Sequence, residues 1–110
     1  MSIIDGTDQL TNLNYFLSLI DEPATNEDIE LQLWVIKNLS KYRTKESINY
    51  LIESLKHKNS DVRIEAIKSL EVVGITNEAL HALQYRAKND LSLSVRRVAE
   101  TVLKKYESAR

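Results

Sequence analysis

The amino-acid sequence predicts an all-α fold built from three consecutive helical hairpins. Three observations carry that expectation: very little turn punctuation, apolar residues spaced along helix faces, and a segment that recurs at intervals in the low thirties. Gly6, Gly74 and Pro23 are the only glycines and proline in 110 residues, too few for a β-sandwich or a doubly wound α/β domain. Ile48, Leu51, Ile52 and Leu55 stand at i, i+3, i+4 and i+7, which is one face of a helix. Leu13, Phe16, Leu17 and Ile20 repeat that spacing, and Leu80, Leu83 and Ala87 keep it more loosely. The recurring segment is Leu31-Gln32-Leu33-Trp34-Val35-Ile36-Lys37-Asn38-Leu39, which matches Val62-Arg63-Ile64-Glu65-Ala66-Ile67-Lys68-Ser69-Leu70 at an offset of 31. Five positions are apolar in both, and a further offset of 33 brings in Val95-Arg96-Arg97-Val98-Ala99-Glu100-Thr101-Val102-Leu103. Such a period with a helical pattern marks a repeat architecture.

Each element has its own justification. The sequence predicts helices near 8–21, 26–42, 44–57, 60–73, 77–89 and 92–108, paired as repeats 8–42, 44–74 and 77–108 of one domain spanning 1–110. Pro23 separates the first two helices, and Thr25 followed by Asp28 resembles a capping box at the start of the second. The third carries the Ile48–Leu55 face and ends at Lys56-His57-Lys58, where positive charge suits the helix dipole. Ser60 or Asp61 can accept from the free amides that open the fourth helix, and Gly74 can close it in a left-handed conformation. Asn77 can cap the helix that follows.

At this point the chain resembles a known family. Asp61-Val62-Arg63-Ile64-Glu65-Ala66-Ile67-Lys68-Ser69-Leu70 is similar to the second helix of HEAT repeats, most of all to the short repeats of phycobilin lyases and related proteins. The resemblance covers residues 44–108 closely and 8–42 more loosely. It implies a right-handed α-solenoid of about three HEAT-like hairpins. It also implies a ladder between repeats, formed by an Asp and an Arg at the start of each second helix. Asp61 with Arg63 fits that ladder, and Arg96 with Ser94 fits it in part. Asp28 and Glu30, or Gln32 in the tighter alignment, stand in the first repeat, where the ladder is expected to fail.

The helix faces support stacking independently of the resemblance. On a helical wheel Val62, Ala66, Leu70 and Val73 form the stripe toward the partner helix, as do Leu31, Val35, Leu39 and Tyr42. A second apolar flank, Ile64 with Ile67 and Leu33 with Ile36, is needed only when another unit lies against it. Arg97 and Glu100 hold those positions in the third repeat, as expected of a polar cap that ends the solenoid. Val98 and Val102 are expected to meet the preceding unit. Trp34 occupies the corresponding flank of the first repeat and has no earlier repeat to meet. We expect the indole to be buried beneath Ile3, Ile4 and Leu10; if exposed, it is a natural anchor for a partner.

The same residues bound function. With no cysteine in the chain, disulfides, thiolate metal sites and cysteine nucleophiles are excluded. His57 and His81 fall in different repeats without ligand spacing, so no metal site and no cofactor are expected. Asp21-Glu22 and Glu27-Asp28 read as helix-end charges, and neither a phosphate-binding glycine loop nor a serine elbow occurs. The expectation is a protein that is not an enzyme. Neither a signal-peptide pattern nor a run of roughly 20 apolar residues is present, which predicts a cytoplasmic chain with no membrane partner.

Residues 1–36 contain seven acids and no Lys or Arg, while the rest holds fifteen cations against nine acids. That polarity allows weak head-to-tail oligomers beside a monomer. Arg86, Lys88, Arg96, Arg97, Lys104, Lys105 and Arg110 make the last third basic, so nucleic-acid binding is the second alternative, although a pI of about 6.1 argues against it. The leading expectation is a scaffold for another protein, using Trp34, Lys37, Asn38, Lys41, Lys68, Glu71 and Lys104 on the second helices. The first alternative, implied by the resemblance, is a bilin lyase-related or phycobiliprotein chaperone-like helper.

Overall fold

Helices account for all the regular structure in the computed structural model, which describes residues 6–109, with side chains from residue 10 onward. They are α1 (Gly6–Leu19), α2 (Ile29–Leu39), α3 (Lys45–Ser54), α4 (Ser60–Val73), α5 (Asn77–Asn89) and α6 (Leu93–Ser108). Consecutive helices pair as hairpins, α1 with α2, α3 with α4, and α5 with α6. The hairpins stack in two layers: α2, α4 and α6 pack on one another in order, and α1, α3 and α5 meet less extensively. The result is the expected all-α solenoid of helical hairpins, 46 × 35 × 19 Å across.

Capping chemistry sets the helix starts, one or two residues away from some expectations. Asn59 rather than Ser60 or Asp61 opens α4, its Oδ1 accepting from the amides of Asp61 at 2.8 Å and Val62 at 3.2 Å. Thr44, Thr76 and Ser92 cap α3, α5 and α6, so Asn77 is the first helical residue rather than the cap. The proposed capping box from Thr25 does not form. Asp28 is itself the cap of α2, accepting from the Leu31 amide, while Thr25 Oγ1 donates to Glu22. Each such cap satisfies amides that the helix leaves unpaired.

The helix ends explain why α2 and α3 are shorter than predicted. Beyond Leu39 the amides of Lys41 and Tyr42 bond the carbonyls of Asn38 and Leu39, three residues back. Lys56 and His57 do the same to Glu53 and Ser54. These tightened turns close the helix as 3₁₀-type geometry, which apolar periodicity does not distinguish from α.

The wheel stripe is the core. Val35, Leu39, Val62, Ala66, Leu70, Val95 and Ala99 are fully buried, facing Leu51, Leu55 and Leu83 of the first-helix layer. The stacking flank behaves as expected at Ile36 and Ile67, also fully buried. Val102 is buried and Val98 half-buried, whereas Arg97 and Glu100 are exposed. One buried hydrogen bond crosses the second-helix layer, Ser69 Oγ of α4 donating to the Ile36 carbonyl of α2 at 3.2 Å. Truncating a member such as Leu70 to Ala removes roughly 2–5 kcal/mol.

Gly74 ends α4 at φ 128° and ψ 141°, its amide donating to the Leu70 carbonyl at 2.9 Å. Side chains rarely adopt that φ, yet a Cβ there would meet nothing within 4 Å. Gly74→Ala therefore isolates backbone strain, and is expected to lower unfolding stability by about 1–3 kcal/mol in urea titrations. An unchanged midpoint would show that the chain leaves α4 in an ordinary conformation.

Candidate functional site

Two features of the stacked hairpins bear on function: the polar seam that joins them at the turn edge, and the face presented by the second helices. The seam centres on Asp90, 2% exposed, just before α6. Its carboxylate accepts from Arg63 Nε at 2.9 Å and Nη2 at 2.8 Å, a bidentate fork reaching from α4 to the next hairpin. Arg86 Nη1 donates to the same carboxylate at 3.1 Å, and the Ser92 amide at 2.9 Å. Arg63 also donates to the His57 carbonyl, and Arg96 to the Asp90 carbonyl. Burial acts to raise the Asp90 carboxyl, but the bonds from Arg63 and Ser92 and the charges of Arg63 and Arg86 outweigh it. They hold Asp90 below the ordinary carboxylate range.

The ladder therefore differs from the one the resemblance implied. Arg63 and Arg96 take part, but Asp61 does not; it lies exposed on the first turn of α4, and Asp90 supplies the carboxylate instead. A sequence signal for this existed. Asp28, Asn59 and Asp90 recur at intervals of 31, and each turns its side-chain oxygen to an amide at the start of a second helix.

The junction of the first two hairpins is built differently. Gln32 stands where Arg63 stands one repeat later, and its Nε2 donates to the Pro23 carbonyl and lies 3.5 Å from Ser54 Oγ. His57, expected as a charged helix end, is instead 1% exposed. Its Nδ1 accepts from the Asn59 amide at 2.9 Å, so Nε2 carries the ring proton and donates to the Asn26 carbonyl at 2.5 Å. Gln32 Oε1 and the Tyr50 hydroxyl are buried without a hydrogen-bond partner among the described residues, and each such group costs about 1–3 kcal/mol. Burial, with the charge of Asp21, pushes the Tyr50 hydroxyl above its usual range.

On the second-helix face, Lys68 and Glu71 of α4 line a groove of about 280 Å³ with Arg97, Val98, Thr101 and Lys105 of α6. Lys105 Nζ spans it to Glu71 at 3.6 Å. Lys104, expected here, is exposed beside the groove but does not line it, and Lys105 takes its place. Arg97, Thr101 and Lys105 were missed because the sequence reading followed equivalent positions on α2 and α4 rather than the space between α4 and α6. Lys37 is exposed on α2 and Lys41 in the turn that follows it; Asn38 is half-buried and donates to the Trp34 carbonyl at 2.8 Å.

The expected burial of Trp34 does not hold. The indole is 48% exposed and Leu10 57% exposed, while Ile3 and Ile4 lie outside the described residues. Phe16 of α1 meets one side of the indole edge-on, with centroids 5.3 Å apart, and itself contacts Tyr15 and Tyr42. Beyond that contact the indole lies open at the surface.

Among the described residues no group of His, Asp or Glu is arranged to hold a metal ion, and no helix is long and apolar enough to cross a membrane. A stack of helical hairpins with a polar seam and an open second-helix face defines a helical-repeat protein. HEAT repeats match residues 17–104, and the chain belongs to that family. No curated protein and no solved structure matches it.

The Asp90 seam has a definite pH signature. A carboxyl held low in the fold contributes stability that is fully present above its unfolded value, about 3.9, and is lost as pH falls through the folded one. Asp90→Asn is expected to cost about 3–5 kcal/mol at neutral pH by leaving Arg63 buried without its counter-charge. In urea titrations the gap from the native protein should narrow as pH drops below about 4; a gap constant from neutral to acid would refute the assignment.

Proposed function

We propose that the chain is a non-catalytic scaffold that binds another protein along its second-helix layer. The observation that carries this reading is that α2, α4 and α6 leave Trp34 half exposed and form an open groove between α4 and α6. Stacked hairpins use such extended surfaces for recognition, and a half-exposed tryptophan seated against Phe16 has the character of an interface hot spot. Lys37, Lys41, Lys68 and Lys104 supply a charged rim around these two features.

Nucleic acid fits less well. Arg86 and Arg96 of the basic last third are turned inward onto Asp90, which removes two cations from any line of phosphate contacts. The bilin lyase-related alternative rests on the helix motif around Asp61–Leu70 alone.

Affinity capture with the native chain and two variants tests the reading. The partner is expected to be a protein recovered in near-equal amount, lost on Lys37→Glu with Lys68→Glu. Trp34→Ala should weaken it by at least 2 kcal/mol, the scale of a hot spot. Undiminished recovery by both folded variants would remove this face from binding, and visible absorbance in the eluate would favour the bilin-related alternative.

A further inference from the structure

The turn edge carries a second surface, away from the second-helix face. A groove of about 590 Å³ lies between the α3–α4 turn and the α5–α6 turn, lined among others by Lys56, Lys58, Arg86, Tyr85 and Leu91. Its size is that of pockets that take ligands, about 300–1,000 Å³. Asp90 is the single acid in its lining, and that charge is already matched by Arg63 and Arg86. The Arg86 guanidinium lies over the Tyr85 ring, 4.7 Å from its centroid, which fixes it in the wall.

The rim cations are differently placed. Lys56 pairs with Glu53 and Lys58 with Glu27, but all four side chains are at least half exposed. Such exposed pairs contribute roughly 0–1 kcal/mol, so both ammonium groups can turn to another anion at little cost. The groove thus presents positive charge with no uncompensated carboxylate of its own.

Beside this charge stands Leu91, 98% exposed, with Tyr85 55% exposed. The turn is pinned on both sides of Leu91. The Asp90 amide donates to the Arg86 carbonyl, the Asp90 carbonyl accepts from Arg96, and the Ser92 amide donates back to the Asp90 carboxylate. A leucine carried on a turn that is pinned through its neighbours Asp90 and Ser92 offers exposed apolar surface beside the groove.

We propose that this groove docks an acidic, extended segment of a partner protein, with carboxylates on Lys56 and Lys58 and one apolar side chain against Leu91 and Tyr85. The pairing of charge with an exposed apolar side chain favours a peptide over a nucleic-acid backbone. Arg63 and Arg86 are committed to Asp90, which leaves two mobile cations, and a polyphosphate strand has no use for Leu91. The surface is independent of the α2–α4–α6 face, so each can fail without the other.

Fluorescence anisotropy tests it with three labelled probes: a short peptide of glutamates around one central leucine, the same peptide with glutamines for glutamates, and a single-stranded oligonucleotide. The native chain is expected to bind the first probe and to bind the other two more weakly. Lys56→Glu with Lys58→Glu should weaken the first by at least about tenfold, since like charges then face one another. Leu91→Ser should weaken it too, and Lys37→Glu with Lys68→Glu should leave it unchanged. Circular dichroism confirms that each variant is folded. Absence of binding, binding that survives the Lys56 and Lys58 reversals, or tighter binding of the oligonucleotide would overturn the proposal. So would sedimentation showing that the groove is filled by the acidic first hairpin of a second copy.

Discussion

The buried fork between Arg63 and Asp90 is the constraint on which the arrangement of the last two hairpins depends. Apolar stacking between α4 and α6 is non-directional and tolerates sliding of one helix along another. A planar guanidinium meeting a carboxylate through two parallel bonds does not tolerate it. The pair fixes the register of α6 on α4, and three further bonds tie that register to the turn: Arg86 and Ser92 onto the carboxylate, Arg96 onto the carbonyl. The walls of both grooves follow from it, because the α4–α6 groove and the turn-edge groove are each bounded by residues of the second and third hairpins.

The first junction lacks an equivalent. His57 reaches the Asn26 carbonyl across it, Gln32 turns back to the Pro23 carbonyl of its own hairpin, and two buried polar atoms find no partner among the described residues. Combined with an aromatic cluster that is open on its outer side, this makes the first hairpin the less tightly determined end of the stack. His57, Ser47 and Ser69 bond main-chain carbonyls of the first hairpin, which any sequence supplies, and the Lys58–Glu27 pair is exposed. The later junction depends on one particular carboxylate. The chain thus separates a half joined by a charged fork, which borders the grooves, from an aromatic half, which offers an exposed indole.

Most of the fold was legible in the sequence because burial follows periodicity. The stripe of Val62, Ala66, Leu70 and Val73 and the flank at Ile36 and Ile67 are buried as a helical wheel requires, and α4 and α5 span the residues predicted for them. The ends of α2 and α3 were less legible, since a 3₁₀ turn keeps the same apolar pattern. Asp90 escaped because a buried charge gives no periodic signal; only its place in the series Asp28, Asn59 and Asp90 marks it. His57, flanked by two lysines, looked solvated, and only the stacked structure brings the Asn26 carbonyl to its ring. The exposure of Trp34 depended on whether anything covered that flank, which local pattern does not encode. The groove on the second-helix face was half legible: Lys68 and Glu71 stood out on one helix, whereas Arg97, Thr101 and Lys105 belong to the space between two.

The most direct test of this account is a double-mutant cycle on the seam, with Arg63→Met, Asp90→Asn and the combined variant compared with the native chain by urea denaturation at neutral pH. If the fork sets the register, the two losses are strongly non-additive, with a coupling of about 1–3 kcal/mol and a double variant no less stable than the weaker single one. Losses that simply add would contradict the account, and would mean that apolar stacking alone places α6 on α4.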